Sequence, residues 1–324
     1  MQENSKSLPT IIAIVGPTAA GKTAIAIALA KHLKTEVVSC DSRSFYKGLK
    51  TITATPAGHW QTRGKKKVYV TDEGVVYHLV DFLDPRKRWD ARTFTGRARR
   101  LLREITVKTG SAIVAGGSGF YYRALFHGLT TLPGADPSYR RRLEAQIASK
   151  GLPYLSERLK KTDPATWTTL DHCNPRRVVR ALELCHSLGM PLSRFLAAKK
   201  PPQPLKHAAF YVDWSKKALD KRIASRIKDG FPAMTDEARR FMQTHGDRAA
   251  TLPASEALLL RPLIDHCNNA IDATTAIAAC YKRDSGYAKR QRTWFKKEPS
   301  LVTIPALKSK ALVAIKEYLY ERNH

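Results

Sequence analysis

Residues 11–25 read IIAIVGPTAAGKTAI. Ile11 to Val15 are apolar without alternation, the pattern of a strand covered on both faces. The segment 16–23 matches G-x-x-x-x-G-K-[ST] at Gly16, Gly21, Lys22 and Thr23, and the residues after it read as a helix. A strand with two apolar faces belongs in the middle of a sheet, and a helix leaving its end must pack back on that sheet. The pair demands a parallel sheet covered by helices, an α/β fold. The loop also says what the fold holds. Its backbone N–H groups and the helix start turn toward phosphate oxygens, Lys22 adds a full charge, and Thr23 can hold Mg²⁺. Gly16, Pro17, Thr18, Ala19, Ala20, Gly21, Lys22 and Thr23 form the expected cradle.

The same unit recurs along the chain. TEVVSCDS (35–42) reads as a strand ending at Cys40 and Asp41, and SAIVAGGSGFYYRALF (111–126) as a strand, a glycine turn and a helix. AAFYVDWS (208–215) with KKALDKRIASRI, and LVTIPA with LKSKALVAIKEYLYERNH, return to it near the C-terminus. Ligands of such sheets bind beyond the carboxyl ends of the strands, so the loop, Asp41–Ser42 and Gly116–Ser118 are expected on one edge. Between 128 and 206 the texture becomes helical. Asp136-Pro137 and Asn174-Pro175 are helix starts, an N-cap followed by an N1 proline. In NPRRVVRALELCHSLG, Val178, Ala181, Leu182 and Cys185 make one apolar stripe, with Arg176, Arg177 and Arg180 largely off it. The expected organisation is a P-loop domain of residues 1–127 and 207–324, interrupted by a helical insertion at 128–206. KKPPQPLKH (199–207) is the expected exit linker.

Charge narrows the partners. The 324 residues carry 56 Lys and Arg against 28 Asp and Glu, a formal charge of +28. Self-repulsion on that scale opposes compaction unless a polyanion shares the field, and nucleic acid is the leading expectation. Five cysteines, none in a C-x-x-C pair, suit a reducing, cytoplasmic setting without disulfides or a zinc site. MQENSKSLPT has no leader-like pattern, and no apolar run is long enough to span a membrane.

A P-loop alone fits a triphosphatase or a kinase. No apolar strand ending in an Asp-Glu pair follows to serve a hydrolytic water. Asp41, one strand after the loop, is placed to take a proton from an attacking nucleophile. It is as well placed to cap the next segment, with Ser42 and Tyr46 packing beside it. YAKRQRTWFKK interleaves cations and aromatics, the texture of single-stranded RNA contact; the competing reading is a solvated helix with Trp294 and Phe295 in the core. RGKKK (63–67) and RARRLLR (97–103) read as general basic surface, His78 as a structural histidine and Cys40 as a strand residue.

In this order and spacing, GPTAAGKT, DSRSFYKG, HLVDFLDP (78–85), AGGSGFYYRAL (115–125), NPRRVVRALEL (174–184) and YAKRQRTWF (287–295) resemble the tRNA dimethylallyltransferases, or tRNA isopentenyltransferases, over nearly the whole chain. The resemblance implies transfer of a dimethylallyl group from dimethylallyl diphosphate to N6 of an adenosine beside the tRNA anticodon, the base being flipped out to react. The loop would then hold a diphosphate leaving group rather than the γ-phosphate of ATP, with Lys22 and Mg²⁺ on Thr23 balancing its charge. It implies Asp41 as the general base, Ser118 (threonine in most relatives) and Arg226 at the diphosphate, and tRNA contacts from Asp41, Ser42, Arg43, Ser44, Asn174, Arg176, Arg177, Lys289, Arg290, Gln291, Arg292 and Trp294. A monomer is expected.

The chain departs from the family pattern in places. Ala20 stands for a frequent serine, and ITATP (52–56) for GTAKP. Cys173-Asn174-Pro175 replaces NDP, ALLLRPL (257–263) a VGY segment, and Asp284-Ser285 the TR before YAKRQ. Prenyl transfer to a free adenine nucleotide, or RNA binding without catalysis, are the readings to weigh against tRNA prenylation. A nucleotide enzyme needs neither the helical insertion nor the charge, and Lys22, Thr23 and Asp41 are all retained.

Overall fold

The computed structural model describes residues 11–199 and 203–321. The N-terminal decapeptide, linker residues 200–202 and the last three residues lie outside this range. The eight strands are β1 (Ile11–Val15), β2 (Val37–Ser39), β3 (Gly58–Arg63), β4 (Lys66–Thr71), β5 (Tyr77–His78), β6 (Ala112–Gly116), β7 (Ala208–Asp213) and β8 (Leu301–Pro305). Six form one sheet in the order β5-β2-β6-β1-β7-β8, every pairing parallel. β1 lies inside it, and all five of its residues are buried. The double-sided apolar pattern therefore predicts this position correctly, because neither face of an inner strand meets water.

The helices are α1 (Lys22–Leu33), α2 (Ala91–Thr109), α3 (Gly119–Phe126), α4 (Pro137–Thr162), α5 (Pro164–Thr169), α6 (Pro175–Leu188), α7 (Leu192–Ala197), α8 (Lys216–His245), α9 (Leu260–Cys267), α10 (Ala273–Phe295) and α11 (Lys308–Glu321). The chain divides into two compact units, Gly128–Pro204 and the remainder. In the larger one, Ile12, Ile14, Ile25, Leu29, Val37, Ile113, Phe210 and Ile315 form a core between the sheet and its helices.

The smaller unit is helical and has its own core of Tyr139, Leu143, Leu155, Leu159, Val178 and Leu182. Asp136 caps α4 by accepting from Ser138 and Tyr139 N–H, and Asn174 caps α6 by accepting from Arg176 N–H. α4 breaks at Gly151, whose left-handed backbone separates two helical stretches. Arg180, off the apolar stripe as expected, turns inward. It reaches the fully buried Glu183 at 2.7 Å, which also takes Arg140 and the Asp136 N–H. Burial raises the Glu183 carboxyl, but its two arginines and the N–H outweigh that and hold it below the usual carboxylate range.

A hairpin at RGKKK was not expected. RGKKK is the tip of an antiparallel hairpin, β3–β4, pairing Arg63 with Lys66 across a turn at Gly64-Lys65. KKVYVT has the strand texture, and the glycine turn was available as a signal.

Candidate active site

All six strands of the main sheet run the same way, so the loop after β1, the Cys40–Asp41 end of β2, Gly116–Ser118 after β6 and Asp213–Trp214 after β7 share one edge. At this edge lies a cavity of about 220 Å³ lined by Thr18, Gly21, Lys22, Thr23, Asp41 and Arg226, together with Thr53–Pro56. Gly116 permits the close fit: a Cβ there would run into the Cys40 carbonyl.

The loop is tied down from outside by side chains distant in sequence. Gln291 accepts from the Thr18 N–H at 2.8 Å and donates to the Gly117 carbonyl at 2.8 Å. Arg222 donates to Ala19 O, Trp214 Nε1 to Ala20 O, and Arg226 to Thr18 Oγ1 at 3.2 Å. Arg222 also stacks over the Trp214 ring at 4.7 Å. These ties hold Ala19 in a left-handed conformation, φ 59°, that a residue with a side chain seldom adopts. Trp214 and Arg222 escape a reading of the sequence, because nothing local marks them as partners of a loop two hundred residues away.

Lys22 donates to the Pro17 carbonyl at 2.6 Å. Burial lowers its pKa to about 8, Arg226 adds to the fall, and Asp41 and Asp284 oppose it. Arg226 makes an ion pair with Asp284, and its Nε is buried without a hydrogen bond. Asp284 is 3% exposed; burial holds its carboxyl above the usual range, with Arg226 opposing the rise. The cavity thus sets Lys22, Arg222 and Arg226 against Asp41, with Asp284 paired to Arg226 outside its lining, a net positive site for an anion.

Asp41 accepts from the Arg43 N–H at 2.8 Å, the capping contact that was one of its two readings, while its carboxyl also lines the cavity. A smaller adjoining cleft of about 40 Å³ shares Thr18, Asp41, Thr53 and Arg226 with the cavity and adds Arg43, Ile52, Leu258, Asp284 and Tyr287. Ser118 is close: its Oγ accepts from the Ser42 N–H at 2.9 Å and donates to Ser42 Oγ at 3.2 Å, which braces the Asp41–Ser42 turn. Ser118 is not among the residues lining the cavity, and its hydroxyl is engaged by this turn.

The expected RNA residues divide. Lys289 and Arg290 are exposed on α10, as are Arg176 and Arg177 at the start of α6 in the helical unit, where Asn174 is the cap. Three others face inward. Ser44 is buried and bonds Ser39. Gln291 spends both ends of its amide on the loop and Gly117. Trp294 is half-buried against Gly119, where a Cβ would strike its indole. Arg292 is also partly covered, 4.0 Å from Asp213. The reason is periodicity: α10 turns a cationic face outward and sets Asp284, Ala288, Gln291 and Phe295 in the interior.

His78 donates or accepts at 2.6 Å with Glu36, whose carboxyl that bond lowers to about 2. Cys40 is buried, which pushes its thiol far up and leaves no reactive thiolate.

Comparison with known proteins bears on this geometry. The family model described as IPP transferase matches residues 44–298. The chain belongs to the IPP transferase family. The tRNA dimethylallyltransferase of Bordetella petrii is 35% identical over 311 residues, covering 94% of this chain and 95% of that one. That of Elusimicrobium minutum is 37% identical over 285 residues, covering 88% and 90%. The full-length tRNA isopentenylpyrophosphate transferase of Bacillus halodurans superposes with a TM-score of 0.65 at 28% identity, covering 97% of both chains. A eukaryotic dimethylallyltransferase crystallised acting on tRNA has the same fold, with a TM-score of 0.74 at 20% identity over 96% of this chain and 80% of that one. Like them, this IPP transferase family member is an enzyme. Among the described residues no helix is long and apolar enough to cross a membrane.

Proposed function

We infer that this chain transfers the dimethylallyl group of dimethylallyl diphosphate to N6 of an adenosine beside the anticodon of tRNA and releases diphosphate. The observation that carries the reading is the cavity itself, where a phosphate-binding loop and a single carboxylate, Asp41, face the same space.

The diphosphate end of the donor lies on the loop N–H groups, Lys22, Arg222 and Arg226. The N6 lone pair attacks C1 of the dimethylallyl group, the C1–O bond breaks, and its electrons leave with the diphosphate. Lys22 and Arg226 stabilise the charge arriving on that oxygen. Asp41 receives the N6 proton. It lines the anion cavity beside Lys22 and Thr23, so a donor anchored by its phosphates brings its carbon to Asp41. Mg²⁺ would neutralise part of the diphosphate charge. The residues present fit it: Thr23 gives a hard hydroxyl oxygen, and no group of three potential acidic, histidine or cysteine ligands is found among the described residues. A magnesium ion held mainly by its phosphate ligand suits such a site. Lys289, Arg290, Arg176 and Arg177 are the exposed cations offered to tRNA phosphates. The same reading has the enzyme act as a monomer in the cytoplasm.

The test incubates the protein with Mg²⁺, dimethylallyl diphosphate and unmodified tRNA, followed by digestion and mass spectrometry for prenylated adenosine. A parallel reaction replaces tRNA with AMP. Product on tRNA is expected; product on AMP alone moves the function to nucleotide prenylation, and tRNA binding without product in either makes the chain a lapsed enzyme.

A further inference from the structure

The hairpin β3–β4 has no part in the chemistry of the cavity. Its inner half is anchored: Tyr69 and Val70 are buried, Tyr69 donates to Pro56 O at 2.7 Å, and Lys50 reaches Gly58 O at 3.2 Å. Through Pro56 the arm is fastened to the wall of the active-site cavity. Its outer half is exposed and carries Arg63, Lys65, Lys66 and Lys67 around the turn. Lys66 lies 3.6 Å from Glu104, an exposed pair of little worth. Among the described residues Arg63, Lys65 and Lys67 have no acid within salt-bridge reach. A two-stranded ribbon is marginal by itself, so four cations crowded at its end weaken it unless an anion lies against them.

Side-chain alternation puts Trp60 and Lys67 on one face of the ribbon. That face borders an open cleft of about 440 Å³ lined by Lys47, Gly48, Trp60, Lys67, Asp81 and Phe82. Trp60 is 40% exposed, yet it is held firmly. Its indole N–H donates to the Asp81 backbone O at 3.1 Å and carboxylate at 3.2 Å, and its ring meets Tyr69 edge-on. Asp81 is itself fixed by the Gly48 N–H and by a left-handed backbone, φ 49°. The result is a rigid aromatic face in a cleft shared with Lys47 and Lys67, beside a strongly cationic tip. Aromatic faces flanked by cations take stacked bases and their phosphates.

We propose that the β3–β4 hairpin is a tRNA-holding arm that stacks an unpaired nucleotide on Trp60 and takes the adjoining phosphates on Lys67 and the Arg63–Lys66 tip. The inference rests on tRNA being the acceptor. It is tested by measuring affinity for full-length unmodified tRNA at several salt concentrations, together with prenylation kinetics. Trp60→Ala is expected to weaken tRNA binding and raise KM for tRNA about tenfold, with kcat at saturating tRNA unchanged and Trp60→Phe recovering most of the loss. Replacing Arg63, Lys65, Lys66 and Lys67 together by Ala is expected to reduce the slope of log Kd against log salt by about 2 to 3. Unaltered affinity for inorganic diphosphate in both variants shows that the catalytic domain is folded. Wild-type affinity and salt slope in both, in an enzyme that prenylates tRNA, overturn the arm alone. A wild-type protein that neither binds nor modifies tRNA overturns the functional reading and the arm with it.

Discussion

Gln291 sets the two interpretations of α10 against each other. As a surface residue it would touch RNA; in the structure its carboxamide bridges the Thr18 N–H and the Gly117 carbonyl, 2.8 Å each, and the residue is 3% exposed. Gln291→Leu keeps the bulk and removes both bonds. Each backbone group left unpaired costs roughly 1–3 kcal/mol. Water from the cavity can reach Thr18, so the total is placed at about 2–4 kcal/mol. For a unit of this size that corresponds to a melting temperature lower by roughly 4–8 °C. The loop, freed on one side, should also bind inorganic diphosphate about tenfold more weakly, since its strained backbone at Ala19 is no longer held in the binding shape. Calorimetry reads both quantities. A variant that melts within about 1 °C of the wild type and keeps its diphosphate affinity, while losing tRNA affinity, would refute the tie and return Gln291 to the RNA surface. Gly117→Ala checks the same packing from the opposite side, because the added methyl meets the Gln291 amide and should destabilise the protein in the same direction.

The other expectations concern charge in the cavity. Asp41→Ala should lower kcat by about 10²-fold or more with tRNA affinity nearly unchanged, measured in single-turnover assays; full activity would remove it as the base. The Lys22 pKa of about 8 predicts that affinity for dimethylallyl diphosphate, whose own ionisations lie well below that pH, falls as pH rises past 8, by at most tenfold per unit, and that Lys22→Ala flattens the profile. Stability of the free protein should respond oppositely. Between pH 8 and 10.5 the unfolded chain holds the Lys22 proton that the folded one has lost, so this group makes the fold more stable as pH rises through that window. Asp284→Asn leaves the Arg226 guanidinium without its carboxylate and should cost about 2–3 kcal/mol. Added diphosphate, supplying the missing anion, should raise the melting temperature of this variant more than that of the wild type; an equal rise would show that Arg226 does not face the ligand.

Much of this was legible along the chain. Ile11–Val15, the glycine-bounded loop and the strand ends at Asp41 and Gly116 belong to short segments whose pattern needs no distant partner, and a parallel sheet brings such ends to one edge by its topology. The apolar stripe of α6 and the proline-bearing helix starts are equally local. The hairpin β3–β4 was legible too, in its glycine turn and the β-branched and aromatic run of KKVYVT, but its lysines obscured it.

The inward turn of Ser44 and Gln291 was not legible, and that of Trp294 was present only as the competing reading of its segment. A helix bearing Lys289, Arg290 and Arg292 presents the same letters whichever way it is rotated, and only packing against Gly119 and the loop chooses the face. The departures from the family pattern show the same limit. Asp284, where that pattern has threonine, reads as erosion of a motif, yet in space it is the carboxylate that pairs with Arg226. Local sequence therefore determined the elements, the anion-binding loop and the carboxylate beside it, because each depends on residues within a few positions of one another. Tertiary structure alone decided which side chains hold the loop in shape, because Trp214, Arg222, Arg226 and Gln291 meet it only after the sheet has closed around it.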